Sequence, residues 1–141
     1  MESDESILKF ILHVFKTQSV INKKFDISLS AHGLSFSDFV MLYHLNQANG
    51  QKLRRIDLAN AIGITASGIT RMLIPLEKIG LVNKEINDRD ARVSFVVLTE
   101  TGKRVFEESL KSAEPAFSFS SLTDKKIRLL TDILNEIVKT L

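Results

Sequence analysis

A mainly α fold carrying one small β-hairpin (α+β) is what the sequence predicts, from three observations. Apolar residues recur at helical spacing at both ends and through the middle of the chain. A single stretch, residues 81–98, changes to a period of two. Two Pro and no Cys among 141 residues leave packing alone to hold the fold. That length suits one domain with one core and excludes a multidomain enzyme. Without Cys there is no disulfide, thiolate nucleophile or Cys-ligated zinc. No run reaches the roughly 18 apolar residues of a membrane span, and the acidic start Met1-Glu2-Ser3-Asp4-Glu5 is unlike the basic beginning of a signal peptide, so a cytoplasmic protein is expected.

Taken in order, Leu8, Ile11, Leu12, Phe15, Ile21 and Phe25 space a long amphipathic helix over about Ser6 to Ile27. The pattern breaks at His32-Gly33. Ser35-Phe36-Ser37-Asp38 then reads as a capping box opening a second helix to Gln47, stopped by Asn49-Gly50. From Leu53 to Ile79 two short helical patterns meet at a tight turn. Leu58, Ala59 and Ile62 line the inner side of the first, Gly63 supplies the positive φ of the turn, and Thr65 caps the second. Ile69, Met72, Leu73 and Leu76 share the inward face of that second helix. Ser67, Arg71, Ile74 and Lys78 fall opposite, with Thr70 beside them. Short hydroxyl side chains followed by cations suit a helix whose first turns enter a DNA major groove, where Ser and Thr read bases or phosphate and Arg takes guanine bidentately.

Leu81 to Ile86, the polar turn Asn87 to Ala91 and Arg92 to Leu98 read as strand, turn, strand, with Val93, Phe95 and Val97 alternating against Ser94 and Val96. A hairpin directly after a groove-reading helix is a wing. Arg89 and Arg92 at its tip suit the negative potential of a narrow minor groove, whereas Asp90 repels phosphate and is expected to orient an Arg. A third helical pattern runs from about Thr99 to the break at Glu114-Pro115. The Ser-rich link Ala116 to Ser121, whose two Phe should dock, leads to a last helix capped by Thr123. There Ile127, Leu130, Leu134, Ile137 and Leu141 step by three, four, three and four, a seam that wants a helical partner.

Charge is divided along the chain. Residues 52–104 hold ten Lys or Arg against six Asp or Glu, a net of +4, and the remainder holds nine against eleven, a net of −2. A basic centre between mildly acidic ends is the footprint of a nucleic-acid module on another scaffold.

Asp90-Ala91-Arg92, then five residues, Leu98-Thr99 and Gly102, resembles the D-x-R…L-T-x-x-G wing signature of MarR-type transcriptional regulators. Ile69-Thr70-Arg71 and Leu76-Glu77-Lys78-Ile79-Gly80-Leu81-Val82 resemble the end of that family's recognition helix, and the order of elements matches over nearly the whole chain. The resemblance implies a winged helix-turn-helix lobe, residues 35–103, carried by dimerisation helices in residues 1–34 and 104–141 of a single domain. It implies a homodimer, more a repressor than an activator, on a pseudo-palindromic double-stranded DNA operator. Carried over residue by residue, Arg54, Arg55, Thr65, Ser67, Thr70, Arg71, Lys84, Arg89, Asp90 and Arg92 form the DNA-binding set. Leu8, Ile11, Leu12, Phe15, Ile127, Leu130, Leu134, Ile137 and Leu141 form the dimer interface. Many relatives release DNA when a small aromatic or anionic effector binds between the dimer helices and the DNA lobe, and His13, Lys16, Tyr43 and His44 are the candidates to receive one here.

The chain departs from the family at three places. Pro75 deletes an N–H within the recognition helix and should bend it, Lys84 stands where relatives carry Arg, and the missing Cys removes any thiol-oxidation switch. No metal, cofactor or catalytic constellation is expected: the three His lack H-x-x-x-H spacing, and G-x-S-x-G, Walker A and G-x-G-x-x-G are absent. The alternative is a winged helix serving as a protein-interaction or dimerising module; the polar face of Ser67, Thr70, Arg71 and Lys78 favours phosphate.

Overall fold

The computed structural model describes residues 2–87, 89–90, 92–119 and 121–141. Asp88 and Ala91 of the expected wing tip and Ser120 of the expected link lie outside the described residues. Among the described residues, six α-helices, α1 (Glu2–Leu29), α2 (Phe36–Gln47), α3 (Arg55–Ile62), α4 (Ala66–Lys78), α5 (Glu100–Ala113) and α6 (Asp124–Thr140), accompany strands β1 (Lys52–Arg54), β2 (Val82–Ile86) and β3 (Ser94–Leu98). The mainly helical architecture with a small sheet agrees with the fold class expected from sequence.

Helix boundaries follow their caps. Asp38 N–H donates to Ser35 Oγ at 3.1 Å and Ser35 N–H to Asp38 Oδ2 at 3.0 Å, the complete capping box that starts α2. Thr65, Thr99 and Thr123 each accept the backbone N–H three residues on, opening α4, α5 and α6. Gly63, at φ 88°, closes α3 and makes the turn into α4, a backbone state costly for any residue with a Cβ. Pro75 leaves α4 unbroken as far as Lys78. Arg71 and Pro75 are both exposed, so the carbonyl that loses its helical donor lies on the solvent side.

One element escaped the sequence reading. Leu53 and Arg54, expected to begin a helix, instead form β1 with Lys52 and pair antiparallel with β3, Lys52 opposite Val97 and Arg54 opposite Phe95, in a sheet ordered β1-β3-β2. Three residues carry too short a pattern to announce a strand; the partner supplies it. The alternation along β3 is present, and the buried face is that of Val96 and Leu98, beside Val82, while Phe95 and Val97 stand half-buried on the other. Lys52 Nζ caps the outer face, 4.9 Å above the Phe95 ring.

The core is one cluster running across the expected boundaries. It takes Phe25 and Leu29 from α1, Met41, Leu42 and Leu45 from α2, Leu58, Ile69, Leu73 and Leu76 from the helix-turn-helix, and Phe106 and Ala113 from α5. Aromatic rings tie its layers together: Phe25 to Phe36 at 4.4 Å, Phe36 to Phe39 at 6.4 Å, and Phe39 to Phe106 at 5.3 Å between centroids. Each such pair adds roughly 0.5–1.5 kcal/mol beyond its buried area. The last turns of α1 and most of α5 are thus part of the lobe's own core. Of the link, Phe117 meets Phe25 at 5.5 Å, and both Phe117 and Phe119 remain nearly half exposed. The first half of α1 and all of α6 contribute nothing to this core.

Candidate nucleic-acid interface

The start of α3, the first turns of α4 and the base of the wing enclose an open cleft of about 440 Å³. Arg54, Arg55, Ile56, Ser67, Thr70, Arg92 and Ser94 line it. Five of the ten residues expected to meet DNA are therefore neighbours in space, although they come from three separate stretches of sequence.

Local chemistry sets the pose of each. Arg54 is the N-cap of α3, and its Nε and Nη2 donate to the two oxygens of Asp57 at 2.8 and 3.3 Å. That side-chain hydrogen bond, with the Asp57 charge, raises the Arg54 pKa further above its ordinary value. Arg55, next in the chain, reaches across to α4 and donates through Nη1 to Thr70 Oγ1 at 3.0 Å. On the opposite wall Arg92 donates through Nε and Nη2 to the two oxygens of Asp90 at 3.1 and 3.3 Å, and its backbone N–H donates to Oδ1 at 3.0 Å. Asp90 is held below the usual carboxylate range by the side-chain bond first and the backbone bond second. The Arg92 side chain remains 91% exposed, so the carboxylate grips its root and leaves its far edge presented outward.

Thr65 and Arg71 lie on the adjoining flank of α4, with Ile64, Gly68 and Met72. Thr65 Oγ1 accepts from Gly68 N–H and lies 3.1 Å from Ser67 Oγ, so the cap and the first polar side chain of the helix share a hydrogen bond. Arg71 is exposed and, among the described residues, forms no ion pair. Two expected residues fall elsewhere. Arg89 lines a separate hollow with Lys52, Glu85, Asn87 and Phe95, and Lys84 is exposed on β2 without lining the cleft. Sequence reasoning missed Asp57 as a partner of Arg54, though its position three residues on in a helix start was a signal; Ser94 gave none, because only strand pairing brings it to the cleft.

The four candidates for an effector are not drawn into one crevice. His13 lines an apolar cleft of about 400 Å³ between α1 and α6, with Phe10, Val14, Leu130, Ile133 and Leu134, and its Nδ1 lies 2.7 Å from the Lys9 carbonyl. Lys16 is exposed and is not among the residues lining that cleft. Tyr43 and His44 touch each other edge to face at 5.3 Å, near Phe106 of α5, and burial lowers the His44 pKa. Among the described residues no helix is long and apolar enough to cross a membrane.

Comparisons with known proteins agree with this fold. The chain is 29% identical over 115 residues to the HTH-type transcriptional regulator YwaE of Bacillus subtilis, an alignment covering 80% of this chain and 66% of that protein. It is 24% identical over 135 residues to MhqR, an HTH-type transcriptional regulator of the same organism, across 94% of this chain and 92% of the relative. The chain therefore spans about two thirds of the length of the first of these and nearly all of the second. Among solved structures, the transcriptional regulator BldR of Sulfolobus solfataricus superposes with a TM-score of 0.86 at 24% identity, covering all of both chains. Sco3205, a MarR family regulator of Streptomyces coelicolor solved in complex with DNA, gives 0.81 at 24% identity, over 98% of this chain and 88% of that one. The fold is thus the one that MarR family regulators share, as the wing signature implied. Residues 23–109, from the core-forming end of α1 through the helix-turn-helix and wing into α5, match the family model of the transcriptional regulators SarA/Rot. By that match the chain belongs to the SarA/Rot family of transcriptional regulators, a family of regulators and not of enzymes, on the winged helix-turn-helix fold.

Proposed function

We propose that the chain binds double-stranded DNA sequence-specifically, as a homodimeric repressor on a pseudo-palindromic operator. The cleft in which Arg54, Arg55, Ser67, Thr70 and Arg92 meet carries the reading. It lies between the exposed face of α4 and the wing, and three guanidinium groups on its walls suit a sugar-phosphate backbone passing between groove-reading helix and wing. With α4 in the major groove, the exposed Arg71 is aimed at a guanine edge. Arg92, steadied by Asp90, faces the adjoining minor groove. Sco3205, of the same fold, was solved with DNA, and that supports the choice of partner.

The unpartnered ends support the dimer. Leu8, Ile11, Leu12 and Phe15 are each more than half exposed, and Leu130 and Leu134 nearly half. Fully burying such side chains stabilises by roughly 1.5–3 kcal/mol each, a gain a lone chain forgoes and a second copy recovers by twofold symmetry. Ile127, Ile137 and Leu141 extend the α6 face, and Ile7, Phe10, Val14 and Ile133, also exposed, widen the patch beyond the residues read from sequence. Two lobes then offer two α4 helices to two half-sites.

Release by a small effector is supported by a second pocket, of about 370 Å³, lined by Gln18, Asn22, Phe36, Val40, Ile64 and Met72. A molecule seated there touches α1, α2 and the recognition helix together. Its apolar walls and two amides suit a small aromatic molecule with a hydrogen-bonding group. The protein acts in the cytoplasm, where its DNA lies.

The test is selection of bound duplexes from a random-sequence library, followed by electrophoretic shifts of the recovered sequence. Enrichment of a palindrome with half-sites about one helical turn apart is expected. Recovery of sequences no different from the starting library would overturn the reading.

A further inference from the structure

Thr70 stands beside the exposed face of α4, yet its hydroxyl has little freedom to read a base. Its single proton goes to the Ala66 carbonyl at 3.1 Å, and its oxygen accepts from Arg55 Nη1 at 3.0 Å. A hydroxyl has one donor and two lone pairs, so a single lone pair is left, on a half-buried side chain. Arg55 gains what Thr70 gives up. Anchored at one N–H, the guanidinium keeps its other four donors and is held at the wall of the cleft facing Arg92.

The three arginines of this cleft differ in their partners. Arg54 is closed on Asp57 and Arg92 on Asp90, each through two donors to a carboxylate. Arg55, among the described residues, is held by a neutral hydroxyl alone, so its charge is uncompensated. An anion entering the cleft meets full attraction from Arg55 and attenuated attraction from the other two.

We propose that Thr70 is a positioning residue that acts on DNA through Arg55, and that Arg55, not Arg54, is the principal phosphate ligand of the cleft. This rests on the DNA-binding reading above and deepens it: the ligand is one backbone phosphate, taken by Arg55 from the α3 side of the cleft. A phosphate is the same at every nucleotide, so Thr70 contributes affinity and no sequence preference.

A double-mutant cycle on the full chain tests it, with a duplex recovered by selection and a random-sequence duplex titrated across a salt series. Thr70→Val removes the hydroxyl and keeps the shape, and Thr70→Ser restores the hydroxyl. Thr70→Val is expected to weaken both duplexes by the same factor, roughly fivefold, the scale of one lost hydrogen bond. Arg55→Ala is expected to weaken both further and to flatten the salt slope by about 0.9, the signature of one phosphate contact. Thr70→Ser recovers the parent affinity, and Thr70→Val added to Arg55→Ala costs nothing more. Three results would overturn the proposal: a Thr70→Val protein with changed base preference, effects of the two substitutions that multiply, or a Thr70→Val protein that binds as the parent does. A parent chain that shifts neither duplex overturns instead the DNA-binding reading itself. Melting curves of the variants, expected to match the parent because both side chains lie outside the core, separate loss of contact from loss of fold.

Discussion

Gly102 packs against the backbone of Leu81 so closely that a Cβ on it would collide with the Leu81 carbonyl oxygen and stand 2.8 Å from Leu98 Cδ1. The same carbonyl accepts the Thr99 N–H at 3.1 Å, while Thr99 Oγ1 donates to the Gly80 carbonyl at 2.6 Å and accepts from Gly102 N–H at 2.9 Å. The Leu98-Thr99-x-x-Gly102 pattern is therefore a joint. Threonine ties the end of β3 to the start of β2 and caps α5, and glycine lets the first turn of α5 lie on the wing's root. Gly102→Ala is expected to cost about 3 kcal/mol, at the upper end of overpacking penalties, since the obstacle is backbone and cannot rotate away. Urea denaturation of the two proteins measures it; a difference under about 1 kcal/mol contradicts the packing account.

The Asp90–Arg92 pair predicts a titration. Arg92 holds the folded-state pKa of Asp90 below its unfolded value, so the stability that the contact contributes is present above the unfolded pKa and is lost as pH falls through the folded one. An NMR titration of the Asp90 carboxyl carbon should find its midpoint below that of an ordinary Asp. In Arg92→Ala the midpoint should rise toward the ordinary value, and an unmoved midpoint would mean that the fork is not populated in solution.

Leu130 and Leu134 lie on α6, which contributes no buried residue to the core. Replacing both by Glu is therefore expected to leave the helical circular-dichroism spectrum intact while halving the sedimenting mass and abolishing tight binding to a palindromic duplex. A double variant that still sediments as the parent does would overturn the reading of α6 as a dimer contact.

Arginine substitutions are expected to separate by role. Arg71→Ala, with no ion-pair partner among the described residues to leave behind, should lower affinity for the selected duplex by roughly 1–3 kcal/mol and blur preference at one base position. Arg54→Ala should weaken selected and random duplexes alike and by less than Arg55→Ala, because Asp57 already offsets the Arg54 charge. Shifts on both duplexes distinguish the cases, and an Arg71→Ala protein with unchanged base preference would remove Arg71 from the major groove.

Much of this protein was legible in its residues. Ser35 and Asp38, Thr65, Thr99 and Thr123 mark helix starts, and Gly63 marks the turn, because caps and positive φ are local chemistry that a few neighbouring residues complete. The inward face of α4 was legible for the same reason, since Ile69, Leu73 and Leu76 recur at the helical period whatever packs on them. The apolar seam on α6, exposed in the fold at Leu130 and Leu134, was legible from its spacing alone.

What the tertiary structure decided is everything that depends on residues far apart in the chain. β1 exists because β3 lies beside it, and the buried side of β3 was chosen by the core beneath Val96 and Leu98, which alternation alone leaves undetermined. The core crosses the expected boundaries between end helices and central lobe, because Phe25 and Phe106 enter one cluster with Phe39. In the cleft, composition counted three equivalent cations. Folding made them unequal, giving Arg54 and Arg92 carboxylate partners and Arg55 a hydroxyl fifteen residues away, because an arginine's availability depends on what its guanidinium touches and the sequence records only that it is charged.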